Sequence, residues 1–385
     1  MNRTPLALPK DFRFCVTTAS HQIEGNNTNS DWWAWEQIPG KIKNEHRSGR
    51  ATEAWNYFDD DIQNMKWLGV DTYRMSIEWA KVEPKEGQFD QNVLNEYLSQ
   101  VDRLLAAGIE PMITLYHFTF PLWVSNQGGW DWAGVTPAFA RFTEQVAKTL
   151  GTRVKIWCTL NEPMTVIAAG YITEVFPPGR NNMASIALPM ENMVRAHAAA
   201  YHTLHRLLDS ETFKPEVGIA HHLRIFDPSR KNNFFDRYAS RKFDEIFNWA
   251  IPEALKTGKM KFNMPFLVKA NATIPEAINT QDFFGINYYS RDLIEMHPLQ
   301  KEKLVRRVAE GSEVQDLGWE IYPEGLKRLI EAIAVRFPRM PIWVTENGTA
   351  DSKDHGRSRY IESHLVAIGE TIAKGIPVKG LAWNR

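Results

Sequence analysis

The sequence predicts an α/β chain folded as a (β/α)8 TIM barrel. Three observations predict it. Short β-branched or aromatic runs alternate with longer segments of helical periodicity from one end of the chain to the other. Most of the short runs are continuously apolar, which suits parallel strands covered on both faces. The first run leads into Thr18-Ala19-Ser20-His21-Gln22-Ile23-Glu24-Gly25, without the G-x-G-x-x-G turn of an open nucleotide-binding sheet.

The first strand is Phe12–Thr18, and Asp59–Leu68 has apolar residues at helical spacing. The second strand, Val70–Ile77, precedes the helix Asn92–Ala107, which Gly108 closes. The third, Pro111–His117, precedes the helix Pro137–Leu150, with Thr136 as N-cap and proline at the first helical position. Lys155–Leu160 and the helix Glu191–Leu208 come next, then the strands Val217–His222 and Asp282–Tyr288. The helix Pro323–Arg336, the strand Pro341–Thr345 and the helix Ser358–Lys374, closed by Gly375, lead to the eighth strand, Val378–Trp383. That strand is short, and the last helix of the pattern is missing. No linker, low-complexity tract or fixed-period repeat divides the chain, so residues 1–385 read as one barrel domain.

Composition narrows the function classes. A hydrophobic fraction of 43% supplies a core, and a formal net charge of -1 gives no bulk attraction to nucleic acid or an anionic membrane. No run of eighteen apolar residues marks a membrane span, and Met1 to Phe14 carries no apolar signal segment. The two cysteines, Cys15 and Cys158, sit in apolar strand-like runs and read as buried free thiols, so a cytoplasmic, reducing location is expected. The 14 tryptophans serve either sugar stacking or core filling, and on count alone core filling is favoured.

Chemistry concentrates at the C-terminal ends of the strands, where barrel sites lie. His21, Gln22 and Glu24 come after the first strand, Arg74 lies in the second, and Tyr116-His117 ends the third. Asn161-Glu162-Pro163 ends the fourth, His221-His222 the fifth, Asn287-Tyr288-Tyr289 the sixth, and Glu346-Asn347 the seventh. A lone glutamate there usually caps a helix or pairs with an arginine. Two of them, on strands across a barrel, fit glycoside hydrolysis, which needs one protonated and one ionised carboxyl flanking a bond. Asn161, Asn287, His117 and Gln22 are neutral donors and acceptors of the kind that sugar hydroxyls require. No cofactor is implied, and no metal site emerges. His202 and His205 lack a completing ligand, and His221 and His222 point to opposite faces of a strand.

At these residues the sequence resembles glycoside hydrolase family 1, the β-glucosidase and β-galactosidase type. The resemblance runs through FCVTTASHQIEG, YRMSIEW, LYHFTFP, TLNEP, FGINYY, GWEIYPEGL and IWVTENG. It implies a retaining β-glycosidase acting on a small glycoside or oligosaccharide, with Glu162 as acid/base and Glu346 as nucleophile. It further implies that Asn161 holds the sugar 2-hydroxyl, that Gln22 and His117 hold hydroxyls further round the ring, and that Arg74 and Tyr289 flank the nucleophile. Arg74 would favour ionised Glu346, whose charge, with partial burial of Glu162, would keep Glu162 protonated, at the retaining separation of about 5 Å. Trp33 and Trp319, in barrel-top loops, are candidates for sugar stacking.

Two departures stand out. The family's LYHWDLP is LYHFTFP here, with Phe118 and Thr119 for Trp and Asp. The usual WSLxDNxEW and final helix are absent after VKGLAWNR, where the family's Trp aligns roughly with Asn384. The bare flank calls for a homo-oligomer partner or a rearranged terminal segment as cover. The rival functions are a sugar binder that has lost turnover, and a transglycosylase sharing the covalent intermediate.

Overall fold

Eight parallel strands close on themselves in the computed structural model, which describes residues 8–264, 268–300 and 304–384. They are β1 (Arg13–Thr17), β2 (Thr72–Ser76), β3 (Glu110–Tyr116), β4 (Ile156–Asn161), β5 (Glu216–Pro228), β6 (Phe283–Met296), β7 (Ile342–Asn347) and β8 (Val378–Trp383). Each pairs with its sequence neighbour, β6 pairs with β7, and β8 pairs with β1, which closes the barrel. All eight predicted strands are present. β8 pairs with β1 on one side and β7 on the other and is as long as β4 and β7. No helix comes after it among the described residues. Residues 1–7 and Arg385, parts of the two terminal segments, lie outside the described residues.

The continuous apolar runs are explained by two cores. Inward positions, among them Cys15, Met112, Ile156, Cys158, Phe283 and Trp343, fill the lower barrel. Alternate positions, such as Ile113, Trp157, Val217 and Ile219, point outward into the layer between sheet and helices. Both cysteines are buried and unpaired, as expected.

The outer helices are α1 (Phe58–Leu68), α2 (Gln91–Ala106), α3 (Val135–Leu150), α4 (Ala187–Leu208), α5 (Phe234–Phe243), α6 (Ala250–Thr257), α7 (Pro323–Arg336) and α8 (Arg357–Ile372). α1 shows the logic: Phe58, Ile62 and Met65 share its buried face, three aspartates occupy the positive N-terminal turn, and Gly69 ends it in the left-handed region at φ 70°. Asp90 caps α2 by accepting from the N–H groups of Asn92 and Val93. α3 starts two residues before the expected proline. Gly134 is its N-cap and Thr136 lies inside, because burial of Val135 and Ala138 outweighs local capping. α5 and α6, unforeseen from periodicity, are joined by a π-helical turn, Asp244–Asn248, that interrupts the repeat.

On the flank beside β7 and β8, Phe12 is buried and Leu8 packs against the cluster of Ile342, Val344, Val378 and Leu381. No helix among the described residues is long and apolar enough to cross a membrane.

Candidate active site

Irregularities in two strands aim the carboxylates. The register of β4 against β5 slips between Cys158 and Asn161, and that of β7 against β6 slips between Val344 and Glu346. Bulges of this kind re-aim side chains at barrel rims. Glu162 then takes a left-handed backbone conformation, φ 46° and ψ 58°, anchored by its N–H to the carbonyl of Ala220 at 2.7 Å. Such a conformation is costly for a residue with a Cβ and is held here by Pro163, which starts the next helical turn.

Arg74, wholly buried, organises the floor. Its Nη1 donates to Glu346 Oε1 at 2.6 Å, its Nη2 to Asn161 Oδ1 at 2.6 Å and its Nε to Thr114 Oγ1 at 3.0 Å. An arginine only donates, so the Asn161 amide orientation is fixed with oxygen toward Arg74. Asn161 Nδ2 therefore donates to His117 Nε2 at 3.1 Å. Burial, then the charge of Arg74, push the His117 imidazole down to about 3. The ring is thus neutral and carries its proton on Nδ1, a buried atom without a partner. Asn287 completes the link: its Nδ2 donates to Asn161 Oδ1 at 3.1 Å and to Glu162 Oε1 at 2.8 Å, while its Oδ1 accepts from Thr345 Oγ1 at 2.7 Å.

Every group that touches the Glu346 oxygens is a donor. Besides Arg74, the Tyr289 hydroxyl donates to Oε2, and Asn384 Nδ2 donates to the same oxygen at 2.8 Å. Burial still pushes this carboxyl up, opposed by Arg74 and reinforced by the charge of Glu162. For Glu162, burial is outweighed by His222 and by hydrogen bonds from Asn287 and Thr165, which hold the carboxyl down at about 2. This departs from the sequence expectation, in which the charge of Glu346 and partial burial keep Glu162 protonated. The reason is His222, whose Nδ1 lies 3.5 Å from Glu162 Oε2 and 2.8 Å from Thr165 Oγ1.

These residues share one cavity of about 460 Å3, lined by Gln22, His117, Glu162, Tyr289, Trp319 and Glu346 among others. Asn161, Asn287 and Arg74 lie beneath it and act on its walls through their hydrogen bonds to Glu162, Glu346 and His117. Trp319 stands at one side, its ring edge-on to Tyr289 and beneath the Arg224 guanidinium. Trp33 is a correction: it does not line the cavity. Its neighbour Trp32 instead lines a side lobe beside Gln22 and His117, because the segment is a short helix, Asp31–Glu36, and not an open loop. His222, Thr165, Phe118, Phe176 and Asn384 join the walls without having been singled out as site residues. Of these, His222 carried a signal, standing at the end of a strand.

The excluded histidines have hydrogen-bonding roles. His202 Nε2 bonds the carbonyl of Glu276, and His205 bridges Asp209 and Asp282. Among the described residues no group of three or more His, Cys, Asp or Glu could hold a metal ion.

The sequence profile of glycosyl hydrolase family 1 matches residues 5–384. The chain belongs to that family. β-Glucosidase A of Thermotoga maritima is 30% identical over 402 residues, covering 98% of this chain and 88% of that protein. A β-glycosidase structure from Pyrococcus horikoshii superposes with a TM-score of 0.88 at 34% identity, over 99% of this chain and 85% of that one. The Thermotoga maritima β-glucosidase in complex with deoxynojirimycin gives 0.89 at 28% identity, covering 98% and 88%. As a family 1 member the chain is an O-glycosyl hydrolase of the β-glycosidase kind.

Proposed function

We propose that this single-domain barrel is a retaining β-glycosidase of the β-glucosidase type, which removes a terminal β-linked sugar through a covalent glycosyl-enzyme. The observation that carries the reading is the pair Glu162 and Glu346 on one cavity, joined through Arg74, Asn161 and Asn287. In the first step an oxygen of Glu346 attacks the anomeric carbon as the bond to the aglycone oxygen breaks. Glu162 gives its proton to that oxygen. In the second step Glu162 takes a proton from water, whose oxygen displaces Glu346 and returns the β configuration.

Arg74, Tyr289 and Asn384 hold Glu346 in its attacking orientation. We assign the 2-hydroxyl to Asn161, hydroxyls further round the ring to Gln22 and His117, and stacking on the aglycone side to Trp319. Proton NMR of an aryl β-glucoside digest tests the reading: the β-anomer of the free sugar appears first and then mutarotates. Initial appearance of the α-anomer would contradict it. Glu346→Gln should abolish the signal altogether.

A further inference from the structure

The cavity does not end at Gln22 and His117. A second cavity of about 330 Å3 adjoins it, and Ala19, Gln22, His117, Phe118 and Phe176 line both. This lobe belongs to the β1 and β3 side of the barrel mouth, across from Trp319, His222 and the β5–β6 side. If Glu162, His222 and Trp319 face the leaving group, the lobe opens from the glycone.

The walls of the lobe suit a sugar ring. Trp32 is fixed by its Nε1–H to the carbonyl of Phe118 at 3.1 Å and packs edge-on to Phe176, centroids 4.7 Å apart, which leaves an aromatic wall. Two polar side chains on its wall are without a partner. The Gln22 amide and the Arg47 guanidinium make no side-chain hydrogen bond or ion pair with other described residues. The one carboxylate on the wall, Glu36, is already occupied: His21 holds Oε1 at 2.8 Å, and Ser48 holds Oε2 through N–H and hydroxyl at 2.9 Å. A ligand there presents hydroxyl oxygens and an apolar face, without needing a charge. The volume falls near the lower end of the roughly 300–1,000 Å3 of small-molecule sites. Phe118 and Thr119, which replace the bulkier Trp and the acidic Asp of the family pattern, stand at this boundary.

We propose that the lobe binds a second sugar ring attached to the glycone, so that the enzyme releases a two-sugar glycone from its aglycone as one unit. This rests on the glycosidase reading, with Gln22 and His117 on the glycone side. The bond broken is still that between the anomeric carbon and the aglycone oxygen, with Glu162 supplying the proton. What changes is the substrate class, from singly substituted glycosides to aryl or alkyl glycosides of disaccharides.

The test uses nitrophenyl β-glycosides of disaccharides, the outer sugar attached to each glycone hydroxyl in turn, with the nitrophenyl monosaccharide as reference. Early products are identified by chromatography and mass. At least one linkage should yield the intact disaccharide with nitrophenol, with kcat/KM no lower than that of the monosaccharide. Ile42→Trp, which fills only the lobe, should cut that kcat/KM by about tenfold or more while the monosaccharide stays within about twofold. Arg47→Ala should raise KM for the disaccharide glycoside by about fivefold or more. Release of single sugars from the outer end with every linkage, or equal losses on both substrate types in Ile42→Trp, would overturn the proposal. A 2-fluoro monosaccharide reagent separates the two readings. Labelling of Glu346 with no intact disaccharide released overturns the lobe alone, whereas no labelling overturns the glycosidase reading and the lobe with it.

Discussion

At the scale of single residues the site turns on how two buried carboxyls share charge. Burial raises Glu346, and the charge on Glu162 raises it further, against Arg74. A nucleophile must be ionised, so the rate falls as pH drops through its pKa. The acidic limb of kcat/KM should therefore lie above the ordinary glutamate range. Glu162→Gln removes the neighbouring charge, so this limb should move to lower pH. A dinitrophenyl glycoside makes the measurement accessible, because its leaving group needs no proton. An acidic limb that stays in place or moves up would contradict this view of the pair. The same variant should lose about 10²- to 10⁴-fold on glycosides with alcohol leaving groups, the usual worth of a general acid. With the dinitrophenyl glycoside, whose leaving group departs without a proton, added azide should restore turnover as the β-glycosyl azide.

Most of the residues that the sequence disclosed share one property: they stand on or just after barrel strands, on the side of the barrel mouth. Glu162, Glu346, Asn161 and His117 stand at strand ends, and Arg74 and Asn287 lie within their strands. Trp33 failed by one position because a helix turns its neighbours to different directions, and the segment carries no long periodicity to reveal the turn. Phe176 and Thr165 reach the cavity from the long connection after β4, whose path no local pattern dictates. His222 was visible as a strand-end residue, but its contact with Glu162 depends on the slipped register of β4 against β5.

At the scale of elements, the strands were legible because burial on both faces writes itself as an apolar run, and the long amphipathic helices because one face repeats. α5 and α6 were not, since a π-helical turn breaks their periodicity. One helix also reaches into the sheet by a polar contact. His197 of α4 is fully buried, its Nδ1 at 2.6 Å from Thr159 Oγ1 on β4 and its Nε2 at 2.6 Å from the carbonyl of Thr280. A carbonyl only accepts, so Nε2 carries the proton and Nδ1 accepts from the threonine. His197→Ala leaves a cavity and two stranded polar groups directly behind the strand that ends in Asn161. It should cost about 2–4 kcal/mol in denaturant unfolding. A loss below about 1 kcal/mol would show that the contact is not needed to seat α4.

At the scale of the whole molecule, buried neutral histidines tie stability to pH. Burial pushes His117 and His221 down to about 3, and His197 and His364 down to about 4. The unfolded chain takes up these protons below about pH 6.5, well before the folded one does. Their contribution is complete above that pH and is lost as pH falls toward 4, at up to about 1.4 kcal/mol per pH unit for each histidine. Urea unfolding at pH 7 and pH 5 should show the drop, and His197→Gln should shrink it. Equal stability at the two values would mean that the rings do not stay neutral in the folded barrel.

The closed barrel places the two carboxyls from β4 and β7 on one cavity, and the central claim is that Glu346 forms a bond to sugar there. The most direct measurement is peptide mass analysis after inactivation with a dinitrophenyl 2-deoxy-2-fluoro-β-glucoside. One sugar per chain is expected, on the peptide that contains Glu346, and none in Glu346→Gln. Labelling at Glu162 or elsewhere, or turnover that proceeds with no covalent species, would contradict the claim.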